Sequence, residues 1–178
     1  MNTAPREHCG SAVRADYNFT VLHSSQRPAL RVVTGPWSSL QALAQPVRME
    51  VFVQEQGIAT ELEWDEWDAR SLHAVALAES GSAIATGRLL PPEFDEDHTV
   101  GHIGRMAVLG EARRQGIGGM ILATLLKAAP TLGFSQIVLH AQSYVVPFYA
   151  GHGFMVEGAE FIEAGIPHRT MRRPLEPA

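Results

Sequence analysis

The chain has 178 residues, 46% of them hydrophobic and 19% charged, and its 14 Lys and Arg against 19 Asp and Glu give a formal net charge of -5. That length suits one domain with a sizeable core, and the acidic balance argues against a nucleic-acid partner, because binding a phosphate backbone needs a basic face. A single cysteine, Cys9, cannot close an internal disulfide, and neither an apolar leader nor a long apolar run is present, so a cytoplasmic protein with no membrane partner is expected.

Residues 1–28 mix Pro, Ser, Arg and His without periodicity and read as a flexible leader or extra edge segment, which leaves 29–178 as the folded domain. Leu30-Arg31-Val32-Val33-Thr34 is a short β-like run ended by Gly35-Pro36, and Ser38 or Ser39 can cap a helix through Leu40, Leu43 and Ala44. Pro46 interrupts that helix, so residues 47–53 are either a second helix or its kinked continuation. Residues 57–70 read as a loop rich in Glu, Asp and Trp. Residues 72–77 and 83–90 form a hairpin across Ser80-Gly81, and residues 100–108 form a strand weakened by Gly101 and Gly104. A helix over 118–129 ends at Pro130 and Gly133, followed by a buried strand over 136–141 and a short helix over 147–152. Closing strands cover 154–157 and 169–172, so the fold class is α/β with a mixed sheet.

Between the 100–108 strand and the following helix lies Arg113-Arg114-Gln115-Gly116-Ile117-Gly118-Gly119. Glycines let the backbone approach a ligand closely, a helix start presents N–H groups that have no intrahelical acceptor, and two arginines add charge, so the segment reads as a pyrophosphate cradle. It is not a Walker loop, which needs Gly-Lys followed by Ser or Thr where this chain has Gly118-Gly119-Met120. Nor is it a dinucleotide fingerprint, since Ile121 occupies the third small position and Leu139-His140-Ala141 stands where an acidic residue is required.

Arg113, Gly116 and Gly118, preceded by Ala107-Val108, resemble the Arg/Gln-x-x-Gly-x-Gly/Ala signature of the GNAT family of N-acetyltransferases, and Phe148-Tyr149-Ala150-Gly151-His152-Gly153-Phe154 resembles its Phe-Tyr-x-x-x-Gly-Phe segment. Residues 51–57, Leu139-His140-Ala141-Gln142 and Ala164-Gly165-Ile166-Pro167-His168 are similar to the bacterial ElaA and YjcF-like subgroup. The resemblance implies a single-domain GNAT fold, with a mixed central sheet splayed at the acetyl-CoA site and flanked by helices. It implies transfer of an acetyl group from acetyl-CoA to a primary amine of a small molecule. A coenzyme A-binding or sensing module of the same fold without turnover is the alternative. A homodimer is compatible with either.

Acetyl transfer needs an unprotonated nitrogen, donors for the developing oxyanion and a proton for the leaving thiolate. The resemblance assigns the donors to the backbone of Met106, Ala107 and Val108, and cofactor contacts to Arg113, Arg114, Gln115, Gly116, Ile117, Gly118, Gly119 and Phe148. Tyr149 aligns with the family tyrosine; a phenol is protonated at neutral pH and can donate, so it is the candidate general acid. Glu55 and His140 are candidates for a base acting through water. Around the acceptor, Glu50, Phe52 and His168 are candidate contacts. The run from Glu61 to Asp68 holds two indoles among five carboxylates and reads either as a lid drawing a cationic amine, with Asp65 in contact, or as a solvated loop. Arg88 and Arg105 are then either anchors for an anionic group or partners of that loop. The eight histidines are scattered, with His98 and His102 on a turn and a strand, so no metal site is expected.

Overall fold

The computed structural model describes residues 30–176; the predicted leader and Cys9 lie outside them. The first strand, β1 (Arg31–Pro36), runs directly into α1 (Trp37–Arg48), with Pro36 in extended conformation at the N-cap. Ser38 and Ser39 therefore sit inside the first turn, and no side chain caps this helix, contrary to the expected serine cap. Pro46 does not end it. α1 passes into a π-helical stretch (Met49–Glu55), with the Met49 N–H shared between the carbonyls of Gln45 and Pro46, so the continuation reading holds. The missing proline N–H loosens the preceding turn and permits the wider register.

The predicted loop over 57–70 contains a one-turn helix, α2 (Thr60–Glu63), and a 3-10 turn at Asp68–Arg70. Then come β2 (Leu72–Leu77), β3 (Ala83–Leu89), β4 (Val100–Val108), α3 (Ile117–Ala128), β5 (Gln136–Gln142), α4 (Val146–Ala150), β6 (Met155–Glu163) and β7 (Ile166–Pro174). They form a seven-stranded sheet in the order β1-β2-β3-β4-β5-β7-β6, in which β4 and β5 are the parallel pair. The last two strands are longer than predicted and turn at Ala164 and Gly165, both at positive φ. β6 is the exposed edge strand, which removes the apolar alternation that would have marked it in the sequence.

The main core lies under α3. Ile117, Ile121, Leu122 and Leu125 pack on Ala74, Ala76 and Ala85 of the β2–β3 hairpin and on Leu139 and Ala141 of β5. Small sheet residues opposite large helix residues bring the helix close, and each buried aliphatic side chain contributes about 1.5–3 kcal/mol. Gly87 belongs to the same fit: a Cβ there would stand 2.5 Å from Met106 Sδ and 2.8 Å from Ile121 Cγ2. On the opposite face α1 seals the sheet through Leu40 and Ala44 against Val75 and Leu77.

Two irregularities in β4 position the site. Its pairing with β5 covers only Val100↔Gln136, Gly101↔Ile137 and His102↔Val138, after which the strands part. Its register with β3 slips by one residue between Gly104 and Ala107, and within that bulge Arg105 has φ 51. A non-glycine residue in the left-handed region is strained, and bulges of this kind bend a strand away from its neighbour. Gly101 has another role, since a Cβ there would come within 2.6 Å of Ile137 Cδ1 and 2.9 Å of the Phe134 ring.

Candidate active site

Beyond His102 the β5-facing edge of β4 has no strand partner, so alternate backbone groups from 103 to 108 open onto the gap between the two strands. Met106, Ala107 and Val108, the residues expected to supply backbone donors, lie on this free edge. The Val108 carbonyl accepts a hydrogen bond from Arg113 Nε at 2.9 Å.

The cradle follows. Arg114 (φ 60) and Gly116 (φ 81) are both left-handed, and Ile117, 5% exposed, anchors the first turn of α3 in the core. The Met120 N–H makes the first intrahelical bond, to the Gly116 carbonyl at 3.1 Å, and the N–H groups of Ile117, Gly118 and Gly119 precede any such acceptor. At Gly116 the positive φ accounts for glycine. At Gly118 folding makes no such demand, because a Cβ would meet only Val108 Cγ2 at 3.5 Å and Phe148 Cζ at 3.6 Å, ordinary contacts. Glycine there keeps the helix start open to a group of pyrophosphate size, and the donor set fits such an anion. Gly119 is closer packed, with His152 Nε2 3.0 Å from its would-be Cβ. Gln115 bonds the Glu111 carbonyl through Nε2 at 2.8 Å. Phe148 borders Gly118 and meets His152 at 4.6 Å between rings.

Arg113 is committed elsewhere. Its guanidinium holds Glu55 in a bidentate pair at 2.5 and 2.6 Å, and this bond keeps the Glu55 carboxyl below its usual range. Glu55 is thus a poor proton acceptor here, which weakens its candidacy as the base. The adjacent Gln56 reaches the other wall: its amide exchanges hydrogen bonds with Gln142 at the end of β5, at 2.9 and 3.3 Å, and lies 3.4 Å from the Tyr144 hydroxyl.

Tyr149, on α4, is 7% exposed and set edge-on to Phe148 and Phe154, at 4.9 and 5.9 Å between rings. Burial pushes its phenol well above the ordinary value, so it stays protonated. Among the described residues its hydroxyl has no hydrogen-bond partner. It is not among the side-chain atoms sealed from solvent, so the hydroxyl of this otherwise buried ring is open at its tip and free to donate.

On the α1 side of the sheet, β5 presents Val138, His140 and Gln142, since Ile137, Leu139 and Ala141 face α3. His140 Nδ1 lies 3.0 Å from Glu163 Oε2, and the Phe161 ring stands edge-on to the imidazole at 4.9 Å. Phe161 also stacks on His168, whose Nδ1 is 2.8 Å from the Ile166 carbonyl. The hydrogen bond from His140 lowers the Glu163 carboxyl, burial opposes this, and the charges of His140, His168 and Arg105 add to the lowering. Glu163 was not singled out in the sequence. The Ala164-Gly165 turn was the available signal, because it fixes the hairpin register that puts Phe161 and Glu163 on one face.

Three of the five carboxylates of the charged loop, Glu63, Asp65 and Asp68, are paired with arginines, which leaves Glu61 and Glu66 exposed. Arg48, fully buried, binds Glu63 through Nε and Asp68 through Nη1 and Nη2 at 2.7 and 3.0 Å, and its guanidinium lies 5.2 and 4.6 Å from the rings of Trp37 and Trp64. Arg88 holds Asp65 with two bonds of 2.6 Å and Asp68 with one of 2.7 Å. Arg105 reaches Glu63 Oε2 and Asp65 Oδ2, each at 3.2 Å, and the carbonyls of Leu62 and Glu63, each at 3.1 Å. Three guanidinium groups neutralise three carboxylates. Asp65 and Arg88 are therefore spent on each other rather than on an acceptor, and Arg105 braces the bulge of β4. Phe52 packs with Val47, Val51 and Ala107 beneath that strand, a core role in place of substrate contact. Glu50 is exposed on the π-helical stretch.

Among the described residues no cluster of three or more metal-ligating side chains occurs, and no helix is long and apolar enough to cross a membrane.

Comparison with known proteins places this geometry. Residues 53–175, more than half the chain, match the family model described as Acetyltransferase (GNAT) domain. The Bacillus subtilis protein called "uncharacterized N-acetyltransferase YjcF" is 39% identical over 128 residues, which cover 71% of this chain and 87% of YjcF. Among solved structures, an acyl-CoA N-acyltransferase from Pseudomonas aeruginosa is 30% identical, with a TM-score of 0.72 over 81% of this chain and 99% of that one. Escherichia coli ElaA has the same fold, with 23% identity and a TM-score of 0.71 over 81% and 99% of the two chains.

Proposed function

The chain belongs to the GNAT acetyltransferase family, and on that premise we propose that it transfers an acetyl group from acetyl-coenzyme A to the primary amine of a small molecule in the cytoplasm. The observation that carries this reading is the parting of β4 from β5 next to the left-handed, glycine-bearing start of α3, with the Tyr149 phenol kept protonated by burial on the helix after β5.

Acetyl-coenzyme A, when bound, supplies a thioester carbonyl open to attack and a sulfur that leaves. The N–H groups at the start of α3 bind its pyrophosphate, with Arg114 adding charge. The free edge of β4 at Met106–Val108 offers backbone donors to the carbonyl oxygen as negative charge develops there. Tyr149 gives its proton to the departing sulfur. The acceptor approaches from the α1 side, where His140 and His168 border the gap.

The test is thiol release from acetyl-coenzyme A with a panel of small primary amines, comparing the parent protein with Tyr149→Phe. Turnover of the variant should fall on the order of a hundred- to ten-thousandfold while its affinity for coenzyme A, read by calorimetry, holds. Tight binding of coenzyme A with no thiol release for any amine would instead identify a binding or sensing module.

A further inference from the structure

We propose that Glu163 is a positioning residue that fixes the tautomer and plane of His140, so that His140 Nε2 takes the proton from the incoming amine. The inference rests on the acetyl-transfer reading and deepens it, because that reading supplies a proton for the sulfur and no group to deprotonate an ammonium.

The placement supports it on three counts. His140 lies two residues past Val138, the last β5 residue paired with β4, and on the same face, so its ring stands where the strands part and opposite the α3 side. Glu163 belongs to β6, which is separated from β5 by β7. Its carboxylate reaches past the intervening strand to meet Nδ1 at 3.0 Å. Phe161 then fixes the plane of the ring from the edge. With Nδ1–H donating to a carboxylate, the lone pair of a neutral imidazole is left on Nε2. Both side chains are about half exposed, 48% and 49%, so the pair adds little to stability, and an orienting role does not require it to. The charged and titratable groups around the pair are Glu163 on β6, His168 on β7 and Arg105 on β4, and Thr170 is the β7 residue opposite His140. Glu55, the other candidate base, is held by Arg113.

The proton balance closes. His140 Nε2 accepts one proton from the ammonium, and the freed nitrogen forms the C–N bond as the C–S bond breaks. The sulfur leaves with the Tyr149 proton, the surplus proton on the amide nitrogen restores Tyr149 through solvent, and the imidazolium gives its own proton to water. One acetamide, one thiol and one released proton result.

The experiment measures kcat and KM separately for the parent protein, Glu163→Gln, Glu163→Asp, His140→Gln and the His140→Gln/Glu163→Gln double variant, with the best amine from the thiol-release panel. His140→Gln should lower kcat on the order of a hundredfold or more, and Glu163→Gln about tenfold or more, with coenzyme A affinity unchanged in both. Glu163→Asp should recover part of the loss, and the double variant should be no slower than His140→Gln alone. A Glu163→Gln enzyme with parental kcat would overturn the proposal, as would independent, multiplicative losses in the double variant or no recovery in Glu163→Asp. Any of these results, in a protein that still turns over and still depends on Tyr149, would leave the acetyl-transfer reading standing. Absence of turnover in the parent protein would fail that reading and this one with it.

Discussion

Replacing Arg48 with Met tests whether the paired charges behind β4 act as one unit. The side chain is fully buried and makes four hydrogen bonds, three to the carboxylates of Glu63 and Asp68 and one to the Glu63 carbonyl. Methionine fills much of the space between Trp37 and Trp64 but leaves two carboxylates, at 2% and 3% exposure, without their main counter-charge. Breaking a buried pair from one side costs about 3–5 kcal/mol. Here Asp68 keeps Arg88 at 2.7 Å and Glu63 keeps Arg105 at 3.2 Å, which places the loss near the lower end, at about 3 kcal/mol. Against a typical domain stability of about 5–15 kcal/mol, that is large enough to read from a urea unfolding curve.

The pH dependence follows from the directions of the shifts. The Asp68 carboxyl is opposed by burial but held below its usual range by Arg48 and Arg88, so it contributes stability above its unfolded pKa and loses it as pH falls through the lowered value. Burial raises the Glu63 carboxyl despite Arg48 and Arg105, so its contribution is present in acid and lost as pH rises through the raised value. Removing Arg48 moves both carboxyls toward protonation in the fold. The deficit of Arg48→Met should therefore be full at neutral pH and narrow towards about pH 4–5, and adding Glu63→Gln should recover part of it. A loss under about 1 kcal/mol, or one equal at neutral and acidic pH, would show that the network is not electrostatically coupled in this way.

Two further outcomes bear on the cradle. Glu55→Gln should release Arg113 towards the pyrophosphate; because the exposed pair is worth up to about 1 kcal/mol, coenzyme A should bind up to about fivefold tighter in low-salt calorimetry, and unchanged or weaker affinity would show that Arg113 contributes nothing there. Gly118→Ala should leave the thermal midpoint within a few degrees of the parent while weakening coenzyme A binding by at least about tenfold, since the added Cβ meets only ordinary contacts in the protein but occupies the approach to the helix start; parental affinity would refute the cradle assignment.

The order of elements was legible because each carries local chemistry: the hairpin at Ser80-Gly81, the Pro130 and Gly133 stop after α3, and the glycine-rich start of that helix. What escaped was governed by partners distant in sequence. The extent of β6 depends on pairing with β7 at an exposed edge, and the bulge at Arg105 is a slip in the pairing of β4 with β3. The glycines of β4 suggested a departure from regular pairing. Gly101 proves to serve the packing of Phe134 and Ile137, however, and the strained residue is an arginine that no glycine rule would find.

The Glu61–Asp68 run shows why charge density alone does not predict a field. Five carboxylates in eight residues have two physical solutions: they stay solvated and project a negative potential, or they fold inward on cations brought by other elements. The choice rests on Arg48, Arg88 and Arg105, which come from α1, β3 and β4, and nothing within the run announces them. Glu63, Asp65 and Asp68 take the second course, leaving Glu61 and Glu66 exposed. The run also acts on the gap through Arg105. It grips that side chain by two backbone carbonyls and two carboxylates, and so steadies the bulge beside which β4 leaves β5. An acceptor entering from the α1 side meets the imidazoles of His140 and His168, the carboxylate of Glu163 and the Phe161 ring, which hold one another by one hydrogen bond and two ring contacts.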